Sequence, residues 1–201
     1  MASSVDYYFA PNSPWTYLGH ERFAQIARAA GATIRVLPVD LGGKVFPVSG
    51  GLPLSKRAPQ RQAYRLVELK RFSEHLGQPI VLQPKYFPVS TDDAAKLIIA
   101  VDMHDGSDAA MRLAGRILRG VWVDERNIAD PRDLAKMLQE EGLPARRLDD
   151  SMSQAVQERY ERDTQRAIDA GVFGAPSYVI EGEIFWGQDR LDFVQRRLAK
   201  G

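Results

Sequence analysis

The sequence predicts an α/β fold in which a small mixed sheet carries a large all-helical insertion. Three observations predict it. A strand–helix–strand unit opens the chain. A strand–hairpin–strand–helix unit closes it. Every regular pattern between them has helical spacing.

The first segment, Val5-Asp6-Tyr7-Tyr8-Phe9, is short, aromatic and β-branched, as strands are. A turn with Pro11 and Pro14 follows. Phe23, Ile26, Ala27 and Ala30 then fall three and four apart, one face of a helix that Gly31 stops. Thr33-Ile34-Arg35-Val36-Leu37-Pro38 reads as a second strand. A β-α-β unit this short has parallel strands and a right-handed crossover. Residues 41–59 read as a loop, interrupted by Gly42, Gly43, Gly50, Gly51, Pro47, Pro53 and Pro59.

Five apolar stripes come next: Leu69, Phe72 and Leu76; Ala94, Ile98 and Val101; Ala114, Ile117, Leu118 and Val121; Leu134 and Leu138; and Met152, Val156 and Tyr160, running on to Ile168 and Gly171. Asp130-Pro131 starts the fourth as a cap followed by proline, and Asp92-Asp93, with Thr91 as the cap, starts the second. The stripes read as core. Ser177-Tyr178-Val179-Ile180 and Glu183-Ile184-Phe185-Trp186 flank Glu181-Gly182 as a tight hairpin. A last helix is expected over 189–198. Residues 1–44 with 172–201 therefore form the sheet domain, and 45–171 the helical insertion.

Composition narrows the chemistry. There is no cysteine. That excludes a disulfide framework, thiolate-held zinc or iron–sulfur, a catalytic thiol of the protein's own and a Cys-X-X-Cys redox pair. Lys plus Arg is 27 against 26 for Asp plus Glu, a net charge of +1, which argues against a nucleic-acid coat or a polybasic membrane binder. No 18-residue apolar run marks a membrane span. Met1 to Asp6 lacks the basic and apolar regions of a secretory leader, so a cytoplasmic protein is expected. His20, His75 and His104 have no ligand spacing, so no metal site is expected and the three read as surface or structural.

Two short motifs remain. Ser13-Pro14-Trp15-Thr16 lies between the first strand and the first helix. Ser13 reads as an N-cap with proline behind it, or as a polar group presented at a helix N-terminus. Gly174-Ala175-Pro176-Ser177 opens the third strand, where proline is tolerated. With the insertion set aside, the order of elements resembles the thioredoxin arrangement. In that arrangement the first motif occupies the Cys-X-X-Cys position, with Ser13 and Thr16 at the two cysteine places. Pro176 is then a cis proline facing it.

The chain resembles the 2-hydroxychromene-2-carboxylate isomerases and the kappa-class glutathione transferases. Both are thioredoxin-like proteins with a helical insertion of the disulfide-oxidoreductase A (DsbA) type. The matching stretches are Tyr8-Phe9 through Ser13-Pro14-Trp15-Thr16-Tyr17-Leu18-Gly19, then Tyr86-Phe87-Pro88-Val89-Ser90, Gly171-Val172-Phe173-Gly174-Ala175-Pro176-Ser177 and Phe185-Trp186-Gly187-Gln188-Asp189-Arg190-Leu191. The resemblance implies a glutathione cofactor whose sulfur Ser13 hydrogen-bonds. The physics suits this. A hydroxyl donating to a thiolate is worth about 1.5–3 kcal/mol and a helix N-terminus about 0.3–1 kcal/mol more. At about 1.4 kcal/mol per unit, together they lower a thiol from about 8.5 by roughly one to two units.

The same resemblance implies further contacts. The backbone of Ala175 beside Pro176 would pair with the cysteinyl part of glutathione. Gln188 and Asp189 would hold the γ-glutamyl end, although Asp189 also suits a helix cap. Arg61 would meet the glycyl carboxylate, or else is a solvated helix charge. Many relatives carry Gly-Asn in the loop where this chain has Gly50-Gly51-Leu52, so that contact is either missing or made by a neighbour such as Ser49 or by backbone. Trp15, Tyr17 and Phe87, with Trp186, could wall an aromatic substrate or be core.

The implied reaction interconverts 2-hydroxychromene-2-carboxylate and trans-o-hydroxybenzylidenepyruvate in naphthalene-type catabolism, with glutathione regenerated. A kappa-like transferase or peroxidase on other electrophiles is the first alternative, and a non-catalytic DsbA-like binding protein the second. A homodimer is expected from the relatives. The 41–59 segment suits a lid.

Overall fold

The computed structural model describes residues 3–200. Met1 and Ala2, part of the segment read for a leader, and the outermost residues of the two sheet-domain pieces lie outside the described residues.

The sheet has the order β2-β1-β3-β4, from β1 (Ser4–Phe9), β2 (Thr33–Pro38), β3 (Ser177–Ile180) and β4 (Glu183–Trp186). β1 and β2 are parallel and share the crossover helix α1 (Pro14–Ala29). β3 pairs antiparallel with both β1 and β4. The β3–β4 turn places Glu181 at φ 49° and Gly182 at φ 84°, the left-handed pair that a two-residue hairpin needs.

Between β2 and β3 the chain is helical. The elements are α2 (Phe46–Ser49), α3 (Pro59–Leu76), α4 (Asp92–Asp105), α5 (Ser107–Trp122), α6 (Pro131–Glu140), α7 (Arg147–Ser151) and α8 (Gln154–Asp169). α9 (Leu191–Leu198) closes the fold. Asp130 caps α6 through its carboxylate and the Arg132 N–H, as the Asp-Pro pair predicts.

β1 is central and buried on both faces, which is why it reads as a continuous aromatic run rather than an alternation. The pleat still sorts its side chains. Tyr7 and Phe9 enter the larger core, where Tyr7 lies 4.7 Å from the Phe23 ring of α1 and 5.5 Å from Tyr178 of β3. α4, α5, α6 and α9 complete that core. Tyr8 faces the other way, onto Leu37, Val179 and Ala167 of α8. Asp6 shares that face and is buried, but Arg35, its partner in register on β2, and Arg166 of α8 neutralise it.

Four expectations are corrected. The 41–59 segment is not plain loop. Its start winds into a π-type turn over Leu41–Val45, because Asp40 accepts from the Gly43 N–H at 2.7 Å, and α2 and a 3-10 turn over Leu54–Lys56 follow. Met152 does not lead a core stripe. It is the C-cap of α7, largely exposed, and α8 starts after it with Ser153 as cap. Thr91 precedes α4 but its hydroxyl makes no cap bond. The last helix begins with a 3-10 turn over Gln188–Arg190 and becomes α-helical only at Leu191.

His20 is structural, as expected, and its tautomer follows from its partners. Nε2 faces the Met111 carbonyl at 2.9 Å, and a carbonyl only accepts, so Nε2 carries the proton. Nδ1 is left to accept from the Tyr7 hydroxyl at 3.0 Å. Burial pushes the pKa of His20 down. Below about pH 6.5 the unfolded chain takes up a proton that folded His20 refuses, so the unfolded state binds more protons and stability falls with falling pH. Urea denaturation across this range should show that slope, and His20→Gln should flatten it.

α1 crosses the start of the final 3-10 turn at Gly19. A Cβ there would lie 2.7 Å from Gln188 Cβ and 3.0 Å from the Tyr178 hydroxyl. Gly19→Ala should therefore lower stability by about 1–3 kcal/mol, read as a shifted denaturation midpoint with unchanged slope.

Candidate active site

The chain leaves β1 at Phe9 and must start α1 after only four intervening residues. The first N–H groups of a helix have no partner within it. Ser13 supplies one. Its backbone is extended, at φ −78° and ψ 124°, and its Oγ accepts from the Thr16 N–H at 3.2 Å. Its own N–H donates to the Ala10 carbonyl at 2.9 Å. The cap uses one lone pair of Oγ, so the hydroxyl proton remains free to be donated. Thr16 is fully buried, and its Oγ1 has no partner among the described residues.

Alongside lies the start of β3. Ser177 pairs with Tyr8, so Pro176 stands level with the end of β1. The Ala175–Pro176 peptide is cis. The Pro176 carbonyl accepts from Gly187 at 2.9 Å and Ser177 Oγ donates to the Gly174 carbonyl at 2.8 Å. Among the described residues the main chain of Ala175 makes no hydrogen bond. An unpaired strand-like residue is a pairing site for an extended ligand.

The helical insertion builds the other wall. Trp15 meets the Phe72 ring of α3 edge-on at 5.9 Å. The Tyr17 hydroxyl donates to the Pro79 carbonyl at 2.7 Å. Phe87 packs tilted against buried Trp122, ring centres 4.8 Å apart. Asn12, next to Ser13, donates to the Val89 carbonyl at 2.9 Å and ties the 79–89 segment to the motif. Trp15, Tyr17 and Phe87 thus each meet the insertion, at three different places, and Tyr17 lines a cavity with His20 and Pro79 that Ser13 does not share. Trp186, at the end of β4, packs against Phe173 and is half exposed.

Gln188 and Asp189 take different positions. Gln188 is buried. Its Oε1 accepts from Arg22 at 3.2 Å, and its Nε2 has no partner among the described residues. Asp189 is exposed and pairs with Arg190 at 2.5 Å. It does not cap α9, which has no side-chain cap. Arg61 is exposed in the first turn of α3. His75 and His104 are exposed, and among the described residues no three metal-ligating side chains converge.

The glycine pair of the loop has a physical reason. A Cβ on Gly51 would fall 2.2 Å from the Phe46 ring. Phe46 fills the space that a side chain at 51 would need. Arg57 clamps the same loop through the Leu52 carbonyl at 2.8 Å.

Sequence reasoning missed Asn12, Phe72, Arg57 and Arg65. The spacing of Arg57, Arg61 and Arg65, four apart, was the available signal. Neither a cavity of about 660 Å³ between β4 and α9 nor one of about 480 Å³ beside Tyr17 and His20 is lined by Ser13. Ser13 is itself only 8% exposed, at the crevice where the end of β1 meets the start of β3.

A cap at the end of β1, a cis proline level with it and a helical insertion between β2 and β3 now stand together. The family model of the DSBA-like thioredoxin domain matches residues 4–199. The chain belongs to that family.

Within the family it is similar to the 2-hydroxychromene-2-carboxylate isomerase of Sphingobium xenophagum, at 28% identity over 98% of this chain and 99% of the relative. Glutathione S-transferase kappa 1 of Caenorhabditis elegans matches at 24% identity over 94% of this chain and 88% of the relative. A solved 2-hydroxychromene-2-carboxylate isomerase superposes with a TM-score of 0.80 at 26% identity, covering 98% of this chain and 95% of that one. The cytosolic disulfide reductase DsbM of Pseudomonas aeruginosa, solved with GSH, shares the fold at a TM-score of 0.71 and 20% identity, covering 98% of each chain. Among the described residues no helix is long and apolar enough to cross a membrane.

Ser13→Ala removes the cap acceptor and should cost about 1 kcal/mol of stability, whereas Ser13→Gly should cost only a few tenths. Chemical denaturation of the two variants checks the difference.

Proposed function

We propose that this protein is a glutathione-dependent isomerase. Its substrate would be an aromatic acid of the kind named for its relatives, 2-hydroxychromene-2-carboxylate, converted to and from trans-o-hydroxybenzylidenepyruvate in aromatic catabolism. The observation that carries the reading is Ser13. In a chain without cysteine, a hydroxyl that caps α1 keeps a proton to donate.

The residues present fit glutathione. The Ser13 proton and the N-terminus of α1 favour a thiolate over a thiol. The free main chain of Ala175, held beside Pro176, would pair with the cysteinyl amide groups. Asp189 would accept from the α-ammonium. The 3-10 turn that begins at Gln188 would offer main-chain N–H groups to the α-carboxylate, since the Gln188 side chain itself is turned inward. Arg61 would meet the glycyl carboxylate. Bound there, glutathione would supply a nucleophilic thiolate that adds reversibly to a conjugated carbon, allowing the former double bond to rotate before the thiolate leaves. Trp15, Tyr17 and Phe87 would hold the aromatic ring beside it and exclude water.

A second reading is transfer of glutathione to other electrophiles. The kappa-class relative and the Phe46 ring at Gly51 support it. Turnover of 1-chloro-2,4-dinitrobenzene or hydroperoxides in preference to the chromene acid would establish it. The reading also includes a cytoplasmic location, where glutathione is reduced, and a homodimer, to be measured by light scattering.

Calorimetric titration tests the central claim. Wild type should bind glutathione, and Ser13→Ala and Ser13→Gly should both bind it at least about tenfold more weakly. S-methylglutathione should bind weakly and be indifferent to the substitution. Isomerisation should require added glutathione. Equal turnover without it would sink the reading.

A further inference from the structure

Among the described residues Arg65 has no carboxylate counterion. It lies on α3 one turn beyond Arg61, so the two share a face of the helix. Its guanidinium carbon is 5.2 Å from the centre of the Phe87 ring and 5.5 Å from that of Trp122. Nη2 is buried and has no hydrogen-bond partner among the described residues. The ion pairs of α3 lie farther along, at Arg71–Glu68 and Lys70–Glu74. Burial and the nearby Arg57 draw the Arg65 guanidinium down to about 10, and Arg57 is itself drawn down by burial and by Arg61.

Three other buried or half-buried arginines are paired. Arg147 contacts Asp105 and Asp150, Arg159 contacts Asp102 and Asp163, and Arg116 contacts Asp124 and Glu140. Against that background, half-buried Arg57 and Arg65, with exposed Arg61 between them in sequence, have no carboxylate partner among the described residues.

The place of Arg65 in the fold says which anion it would take. Arg65 is two turns before Phe72 on one face of α3, about 10 Å along the axis, and Phe72 touches Trp15, two residues after Ser13. The Phe87 ring beneath the guanidinium belongs to the segment that Asn12 ties to the motif. Arg65 therefore shares α3 with the Trp15 contact and packs on the segment that Asn12 ties to the Ser13 motif. Arg57 is occupied by the Leu52 carbonyl, and Arg61 lies nearer the N-terminus of α3. The aromatic faces hold the plane of Arg65, and no acceptor takes its N–H groups.

We propose that Arg65 binds the carboxylate of the second substrate and so makes the crevice selective for planar conjugated acids over neutral enones. The identity of that substrate rests on the function proposed above. The anion site does not. A carboxylate entering beside Phe87 gains a charge-assisted partner in a half-buried setting, and its conjugated plane stacks along the same aromatic ring. Arg suits this better than Lys, because a guanidinium stacks on aromatic rings and sheds water more easily.

The test uses trans-benzylidenepyruvate and its neutral counterpart benzylideneacetone. Calorimetry measures both on the whole protein, with and without glutathione, for wild type, Arg65→Lys and Arg65→Met. Wild type should prefer the acid by at least about tenfold. Arg65→Met should erase the preference by weakening the acid alone, Arg65→Lys should retain part of it, and glutathione affinity should stay within about twofold. Thermal melts establish that each variant folds, and Arg65→Lys carries the test if Arg65→Met does not. A wild type that binds both probes equally overturns the proposal. So does a preference that survives in folded Arg65→Met, or an equal loss of both probes, which would make Arg65 a structural clamp. If wild type fails to bind glutathione yet shows an acid preference that Arg65→Met removes, the glutathione reading falls and the Arg65 site stands.

Discussion

The rest of this structure depends on how the chain leaves its central strand. β1 is buried on both faces and flanked by β2 and β3, so its C-terminal end can exit only over the edge of the sheet. There α1 must begin, with amide groups that no helical carbonyl can reach. The Ser13 hydroxyl satisfies one and fixes the first turn. The register of β3 then brings Pro176 level with the same point, and the Gly187 N–H anchors the Pro176 carbonyl. Two segments separated by most of the sequence meet because the sheet fixes both.

The helical insertion has a complementary role. It closes the larger core through α4 and α5, whose apolar faces pack under Tyr7, Phe9 and Phe23. It also sends α3 and the 79–89 segment across the mouth of the sheet end. Trp15 on Phe72, Tyr17 on Pro79 and Asn12 on Val89 are the ties. Each joins a residue within four positions of Ser13 to the insertion. The crevice is thus half sheet and half insertion, and its polar character comes unequally from the two. The sheet side contributes hydrogen-bonding main chain and one hydroxyl. The insertion contributes aromatic faces and arginines.

Much of this was legible in the residues. The strands were, because aromatic and β-branched runs bounded by glycine and proline have few other uses. So was the Glu181-Gly182 turn, because only a left-handed pair closes so short a hairpin. Ser13, Pro176, Trp15, Tyr17 and Phe87 lay in short motifs whose order could be read. What escaped reading depends on distant partners. The π-type turn after Asp40 is set by one carboxylate folding onto Gly43. Gln188 looked like a ligand-facing amide, but α1 approaches so closely at Gly19 that its side chain is packed inside. Arg65 drew no reading at all, because only Phe87 and Trp122, far along the chain, give it a half-buried setting.

The absence of cysteine and the presence of Ser13 belong to one argument. A thiol at that position would itself be the group that the helix N-terminus stabilises, and its thiolate would have no proton to give. A hydroxyl stays neutral. It accepts from the Thr16 N–H with one lone pair and still has a proton for an incoming anion. Under the proposed function, serine makes this position one that receives a thiolate rather than one that supplies it. On the same proposal, an arriving thiolate and a substrate carboxylate would bring negative charge toward Arg57, Arg61 and Arg65, none of which is neutralised by a carboxylate of the protein among the described residues. Burial first, and a neighbouring arginine second, draw the Arg57 and Arg65 guanidinium groups down, and an entering anion would favour their charged forms.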